Sequence, residues 1–182
     1  SKHDYTNFRS KQMKLALGTV QFGLSYGITN KSGQVQTNEV VDILSYAAHN
    51  DITILDTAAA YGNSENVLGD LSTQKFDVIS KIPSLTSLNK SITQCISDSL
   101  ENLKRQSLYG LMFHDEKDLF STEIPFIELL TAKKNGLVKK IGCSFYSIDA
   151  LNKALEMNYD LDLIQVPANC LDQRFLASGL LD

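Results

Sequence analysis

The sequence predicts an α/β fold in which helices cover a parallel sheet. Two architectures share that pattern, an open doubly wound sheet and a (β/α)8 TIM barrel, here incomplete with about six of the eight β/α units present. Three observations carry this. Short apolar strands recur near 15–19, 52–56, 77–81, 109–113, 138–143 and 162–166. Helical patterns lie between most of them. The strands are close to continuously apolar, as strands buried on both faces are.

The elements follow in order. The first strand, LALGT, runs into 18-GTVQFGLSYG-27, which lacks the GxGxxG turn of an open dinucleotide-binding sheet. The segment 30-NKSGQ-34 reads as a flexible loop. Over 37–50, Val40, Val41, Leu44, Ala47 and Ala48 share one helix face, with Thr37 placed as N-cap. The second strand, 52-ITILD-56, ends in Asp56, and the third, 77-DVISK-81, in Lys81. Ile92, Ile96, Leu100 and Leu103 keep helical spacing over 89–105, and the fourth strand runs into His114. Over 122–136, Pro125 falls in the first turn, Lys133 and Lys134 in the last, and Gly136 follows, the punctuation of a helix start and stop. The fifth strand delivers Ser144. Ser147 then caps a helix whose apolar stripe is Ile148, Leu151 and Leu155 and which ends at Asn158. Gln165 lies near the end of the sixth strand.

Composition narrows the function classes. The 182 residues carry a formal net charge of −4 and no basic cluster, which argues against nucleic acid or an anionic membrane as partner. No apolar run approaches a membrane span. The opening SKHDYTNFRSKQ lacks the apolar core of a secretory signal, and Met13 reads as an original start. Residues 1–13 are therefore expected to be an extension and 14–182 one barrel domain. Cys95, Cys143 and Cys170 are odd in number, widely spaced and without metal-ligand spacing, which predicts reduced thiols in a cytoplasmic setting and no metal site.

A strand-end Asp is ordinarily a turn residue, and a lone Lys a solvated flank. Here the carboxyl ends of five strands send Asp56, Lys81, His114, Ser144 and Gln165 toward one rim, and a barrel builds its active site on such a rim. Tyr61 follows Asp56 by five positions. Its phenol is a reluctant proton donor, with an ordinary pKa of about 10. An ammonium at about 4 Å, at an effective dielectric of about 20, would favour the phenolate by about 4 kcal/mol before desolvation. Lys81 is expected to supply that charge and so lower the phenol pKa, with Asp56 holding Lys81 charged. His114 is expected to donate to a substrate oxygen. The set suits proton transfer to an oxygen that becomes an alcohol. None of these side chains delivers a hydride, so a reductase would need a cofactor.

The string 56-DTAAAYGNSENVLG-69 resembles the Asp-x-Ala-x-x-Tyr-Gly…Glu-x-x-Leu-Gly signature of the aldo-keto reductases. The likeness continues through 78-VISKI-82, 109-YGLMFHD-115, 141-IGCSFYS-147 and 164-IQVPANCLDQR-174. It implies the (β/α)8 barrel rather than the open sheet, and reduction of an aldehyde or ketone with NADPH, Tyr61 being the general acid, Lys81 and Asp56 tuning it, and His114 orienting the carbonyl. It also implies a cofactor pocket of Gly18, Thr19, Asp56, Ser144, Gln165 and Asn169, the nicotinamide carboxamide lying on Ser144 and Gln165. Phe145 stands where many members carry Asn. The opening LALGTVQFGLSYGI resembles bacterial members associated with surface-polysaccharide or sugar metabolism, which points to a sugar-like substrate.

A barrel of this type takes about 250 residues, and the sequence stops within the sixth unit. The expectation is a chain truncated after its sixth strand, weak in cofactor binding and prone to self-association through open sheet edges. The alternatives are a non-catalytic binding or regulatory protein on the same fold, an inactive fragment, or a barrel lyase or isomerase using Lys81 as a Schiff-base nucleophile. Asp56 beside that lysine argues against the last.

Overall fold

Six parallel strands pair in chain order: β1 (Ala16–Gly18), β2 (Ile54–Asp56), β3 (Asp77–Ile82), β4 (Leu108–Phe113), β5 (Val138–Ser144) and β6 (Leu163–Gln165). The structure is a computed structural model and describes residues 15–180; the expected extension over 1–13 lies outside the described residues. Among the described residues eight α-helices connect and cover the strands: α1 (Val20–Gly23), α2 (Thr37–His49), α3 (Ser64–Asp70), α4 (Ile92–Asn102), α5 (Glu116–Leu119), α6 (Glu123–Lys134), α7 (Ile148–Glu156) and α8 (Arg174–Ala177). Among the described residues, β1 and β6 each have one strand neighbour. No described helix is long and apolar enough to cross a membrane.

The sheet curls into a half-barrel. In a flat sheet, β2 and β6 would stand about 19 Å apart, four strand spacings. Instead Gln165 on β6 donates to Asp56 on β2 at 3.3 Å. The interior is correspondingly tight: a Cβ on Gly110 of β4 would lie 2.6 Å from Cδ1 of Leu163, two strands away. Strand alternation then sorts the side chains. On β3, Val78, Ser80 and Ile82 face the helices and Lys81 faces the barrel interior. Leu55, Val78, Leu111, Phe113, Ile141 and Cys143 build the buried layer beneath Val40, Leu44, Leu68, Ile96, Leu129 and Leu151. The helix ends use expected chemistry: Ser147 Oγ accepts from the Ala150 amide, and Ser91 forms a reciprocal capping box with Gln94 at the start of α4.

Three local expectations are corrected. Gln36, with extended backbone, is the N-cap of α2, and Thr37 is already helical. The buried stripes are narrower than the apolar patterns, so Val41 and Leu155 are about half exposed and Ala154 is buried in Leu155's stead. The segment 30–34 is braced: Asn30 Nδ2 donates to the carbonyls of Tyr26 and Gly33, and its Oδ1 accepts from the amides of Ser32 and Gly33.

One close approach sets the site. After β2 the chain turns through Ala58–Asn63, with the Ala59 amide donating to the Lys81 carbonyl and the Tyr61 amide to the Ala58 carbonyl. The last residue of α1, Gly23, lies against this turn. A Cβ there would sit 1.7 Å from the Tyr61 carbonyl oxygen. Gly62, at φ +59°, would place its own Cβ 2.3 Å from the Gly23 carbonyl oxygen. Both contacts are to backbone, so neither position accepts a side chain without moving the other segment.

Gly23→Ala is therefore expected to destabilise the fold by about 1–3 kcal/mol, the usual scale for overpacking. Urea unfolding measures it, and an unchanged midpoint would show that the Tyr61 turn yields freely.

Candidate active site

At the rim where the strands end, an ammonium is buried among three oxygens. Lys81 is 1% exposed and lies at the centre of the group. Its Nζ donates to Asp56 Oδ1 at 2.6 Å, to the Thr57 carbonyl at 3.0 Å and to Tyr61 Oη at 3.5 Å. An ammonium has three N–H donors and no acceptor capacity, and each donor finds an oxygen here, of a carboxylate, a carbonyl and a phenol. Burial lowers the Lys81 pKa below the ordinary lysine value, and the charge of Asp56 and its hydrogen bond oppose that fall. The His114 ring stands edge-on to that of Tyr61, with centroids 5.7 Å apart and planes at 81°. Burial and the nearby Lys81 ammonium lower the His114 pKa below 6.5, so the imidazole is neutral at neutral pH. Asp56, Tyr61, Lys81 and His114 thus meet in one cluster, though they come from three strand ends and a turn.

The ionisation of Tyr61 corrects the sequence reading. Its pKa is pushed up to about 12, first by burial and then by the negative charge of Asp56. Burial and the carboxylate both act against the phenolate, and the Lys81 ammonium, held at 2.6 Å by that carboxylate, does not overcome them. Tyr61 is a neutral phenol at ordinary pH rather than a pre-formed phenolate.

The remaining candidates spread along the rim. Ser144 is buried at the end of β5 and is the register partner of Gln165. Gln165 Nε2 is engaged with Asp56 Oδ2. Gly18 pairs with Asp56 in register, and a Cβ added to it would meet nothing within 4 Å, so its face toward the rim is open. Thr19 is fully buried, its amide and hydroxyl both donating to the Asp56 carbonyl at 3.0 and 3.1 Å. Asn169 is exposed and turns the loop after β6, its Oδ1 accepting from the amides of Leu171 and Asp172. Phe145 is fully buried in the core. Cys170 is exposed on the same loop as Asn169, while Cys95 and Cys143 are buried.

Other residues hold the site without having been singled out in the sequence. Ser64 Oγ donates to the Thr19 carbonyl and lies 3.1 Å from Thr57 Oγ1, forming a buried hydroxyl cluster under the Asp56 backbone. Glu65, 3% exposed, accepts from Ser80 Oγ at 2.6 Å and from Asn102 Nδ2 at 3.3 Å. This ties α3 and α4 to the outer face of β3, one residue before Lys81. Both Ser64 and Glu65 lie in the quoted string 56–69, the only sequence signal that pointed near them. Glu116 Oε2 accepts from the amides of Tyr146 and Ser147, fixing the loop after Ser144.

With this geometry in place, comparison with known proteins is specific. The model of the Aldo/keto reductase family matches residues 14–182. A Pseudomonas aeruginosa protein assigned to the aldo-keto reductases superposes with a TM-score of 0.74 at 24% identity, over 91% of this chain and 69% of that one. A second such structure from that organism gives 0.71 at 25% identity, over 86% and 63%. The holo form of an aldo-keto reductase from Bacillus halodurans gives 0.71 at 17% identity, over 90% and 56%. The chain thus spans between 56% and 69% of the length of these proteins. Comparison with curated proteins gives no match.

The raised pKa fixes a sign. The folded state favours the neutral phenol, so this contribution to stability is whole below pH 10 and lost as pH rises toward about 12. Ultraviolet titration of phenolate is expected to show no difference between the native chain and Tyr61→Phe below pH of about 10. A phenolate signal near neutral pH that disappears in Tyr61→Phe would restore the lowered value.

Proposed function

The chain belongs to the aldo/keto reductase family, and from that premise we propose that it reduces an aldehyde or ketone to the alcohol with NADPH, Tyr61 giving the proton. One observation carries the reading: a fully buried ammonium bridges a carboxylate at 2.6 Å and a phenol at 3.5 Å beside a neutral imidazole.

The residues present fit the nicotinamide end of such a cofactor. Ser144 and Gln165 are register neighbours at the rim, a hydroxyl and an amide that both donate and accept, as recognition of a carboxamide requires. The open face of Gly18 leaves room alongside. When bound, NADPH supplies the hydride. The chain's own part is the proton. Lys81 donates to the Tyr61 oxygen, which leaves the phenol's own O–H free to point at a substrate oxygen. Neutral His114 offers an N–H to the same oxygen and orients the carbonyl. Negative charge developing on that oxygen meets these pre-placed donors, an arrangement that stabilises such charge. An alkoxide is a far stronger base than a phenolate, so a phenol with pKa of about 12 still gives up its proton readily. The phenolate left behind lies against Lys81, ready to be reprotonated.

A sugar-like substrate is part of the proposal. Besides the opening motif, Tyr26 and Tyr146 support it. Both are more than half exposed and lie close enough to Tyr61 to act on its ionisation, and their flat apolar faces suit the C–H face of a sugar ring. For the 182-residue chain the proposal extends to self-association, since the outer edges of β1 and β6 are free of a strand among the described residues.

NADPH consumption with aldehydes, ketones and aldoses tests the reading, on this chain and on a version extended to the length of its structural relatives. Tyr61→Phe is expected to lower kcat by about 10²–10⁴ with little change in KM; a loss of only a few-fold would remove Tyr61 from its role. In sedimentation velocity the 182-residue chain should associate as concentration rises, and a monomer throughout would end the edge-pairing reading.

A further inference from the structure

The Asp56 carboxylate has two oxygens and divides them between two elements. Oδ1 accepts from Lys81 at 2.6 Å. Oδ2 accepts from Gln165 Nε2 at 3.3 Å, from a residue 109 positions away on the facing strand. Among the described residues these are its side-chain donors. The Asp56 backbone is fixed, because its carbonyl accepts from both the amide and the hydroxyl of Thr19. Its carboxylate is less constrained. The side chain is 20% exposed, and a terminal sp³–sp² torsion has broad wells rather than three sharp ones. With one tether it can turn Oδ1 toward water and leave the ammonium short of an acceptor. The second tether starts from a rigid base: the Phe145 amide donates to the Gln165 carbonyl at 2.7 Å, and Gln165 keeps register with Ser144.

We propose that Gln165 is a positioning residue for the proton-donating group: by holding Oδ2 of Asp56 it aims Oδ1 at Lys81 and so keeps the ammonium against Tyr61. This rests on the reading of Tyr61 as proton donor and adds to it a residue that acts through Asp56. Oε1 of the same amide accepts no hydrogen bond among the described residues and remains available to a carboxamide N–H. One side chain can therefore serve the ion pair and the cofactor together, donating to one and accepting from the other.

The test needs no cofactor. Gln165→Met keeps the length of the side chain and removes the donor. The chain is labelled with ¹³C at lysine Cε, the Lys81 signal is assigned by its absence in Lys81→Met, and its pH midpoint is followed by NMR. The titratable groups facing Lys81 are Asp56 from β2, Tyr61 from the turn before α3 and His114 after β4. Of these, Asp56 opposes the fall that burial imposes on Lys81. A loosened Asp56 opposes it less, so Gln165→Met is expected to lower the midpoint by about half a pH unit, a fraction of one hydrogen bond to a charged group. Gln165→Glu brings a second negative charge to the same place and is expected to raise it. Hydrogen exchange at the Phe145 amide reports the β5–β6 pairing and should stay as in the native chain in both variants. An unmoved Lys81 midpoint in Gln165→Met overturns the proposal. So does a fall in both variants, or a fall accompanied by loss of Phe145 protection, which marks a structural role only. Failure of NADPH turnover alongside the expected titration counts against the proposed reaction and leaves the tether standing.

Discussion

The site depends on one buried ion pair. Moving an ammonium out of water costs several kcal/mol even after the protein relaxes, and a single carboxylate does not by itself repay it. Lys81 is stable in its place because each of its donors finds an oxygen: the carboxylate of Asp56, the carbonyl of Thr57 and the phenol of Tyr61. The requirement runs in both directions. The phenol lies where it completes the ammonium's shell, and the Asp56 carboxylate opposes the loss of the ammonium's charge that burial favours.

Much of the surrounding structure can be read as what that pair demands. Parallel strands put Asp56 and Lys81 on neighbouring β2 and β3 with both side chains at the rim, and Ser80, facing the other way, is bound by Glu65 so that the strand carrying Lys81 is held from behind. The hydroxyl cluster of Thr19, Thr57 and Ser64 satisfies buried polar groups directly under Asp56, where an unmet donor or acceptor would be costly. Gly23 and Gly62 let α1 and the Tyr61 turn touch backbone to backbone, which no pair of larger residues permits.

Burial explains why the phenol is not an acid of unusual strength, and the negative charge of Asp56 acts in the same direction. The phenol therefore keeps its proton at neutral pH, with the Lys81 ammonium 3.5 Å from its oxygen. His114 is governed by a similar balance: loss of water and then the ammonium lower its pKa, so the imidazole is neutral at neutral pH.

By itself the sequence determined the strand order, the rim residues and the family pattern. Apolar runs that end in Asp56, Lys81, His114, Ser144 and Gln165 are local features, and the period of a strand or helix is written in consecutive residues. All six strands fall within a residue or two of where that pattern predicts them. Short helices such as α1 and α5, four residues each, carry too few positions to show a period. What only the tertiary structure decided are quantities that sum over neighbours distant in the chain: the direction of the Tyr61 shift, the narrowed faces of α2 and α7, and the hold of Gln165 on Asp56. The curl of the sheet brings those last two residues together across 109 positions. Solvent exclusion and the net field at a phenol depend on every charge nearby, and no stretch of sequence around Tyr61 contains them.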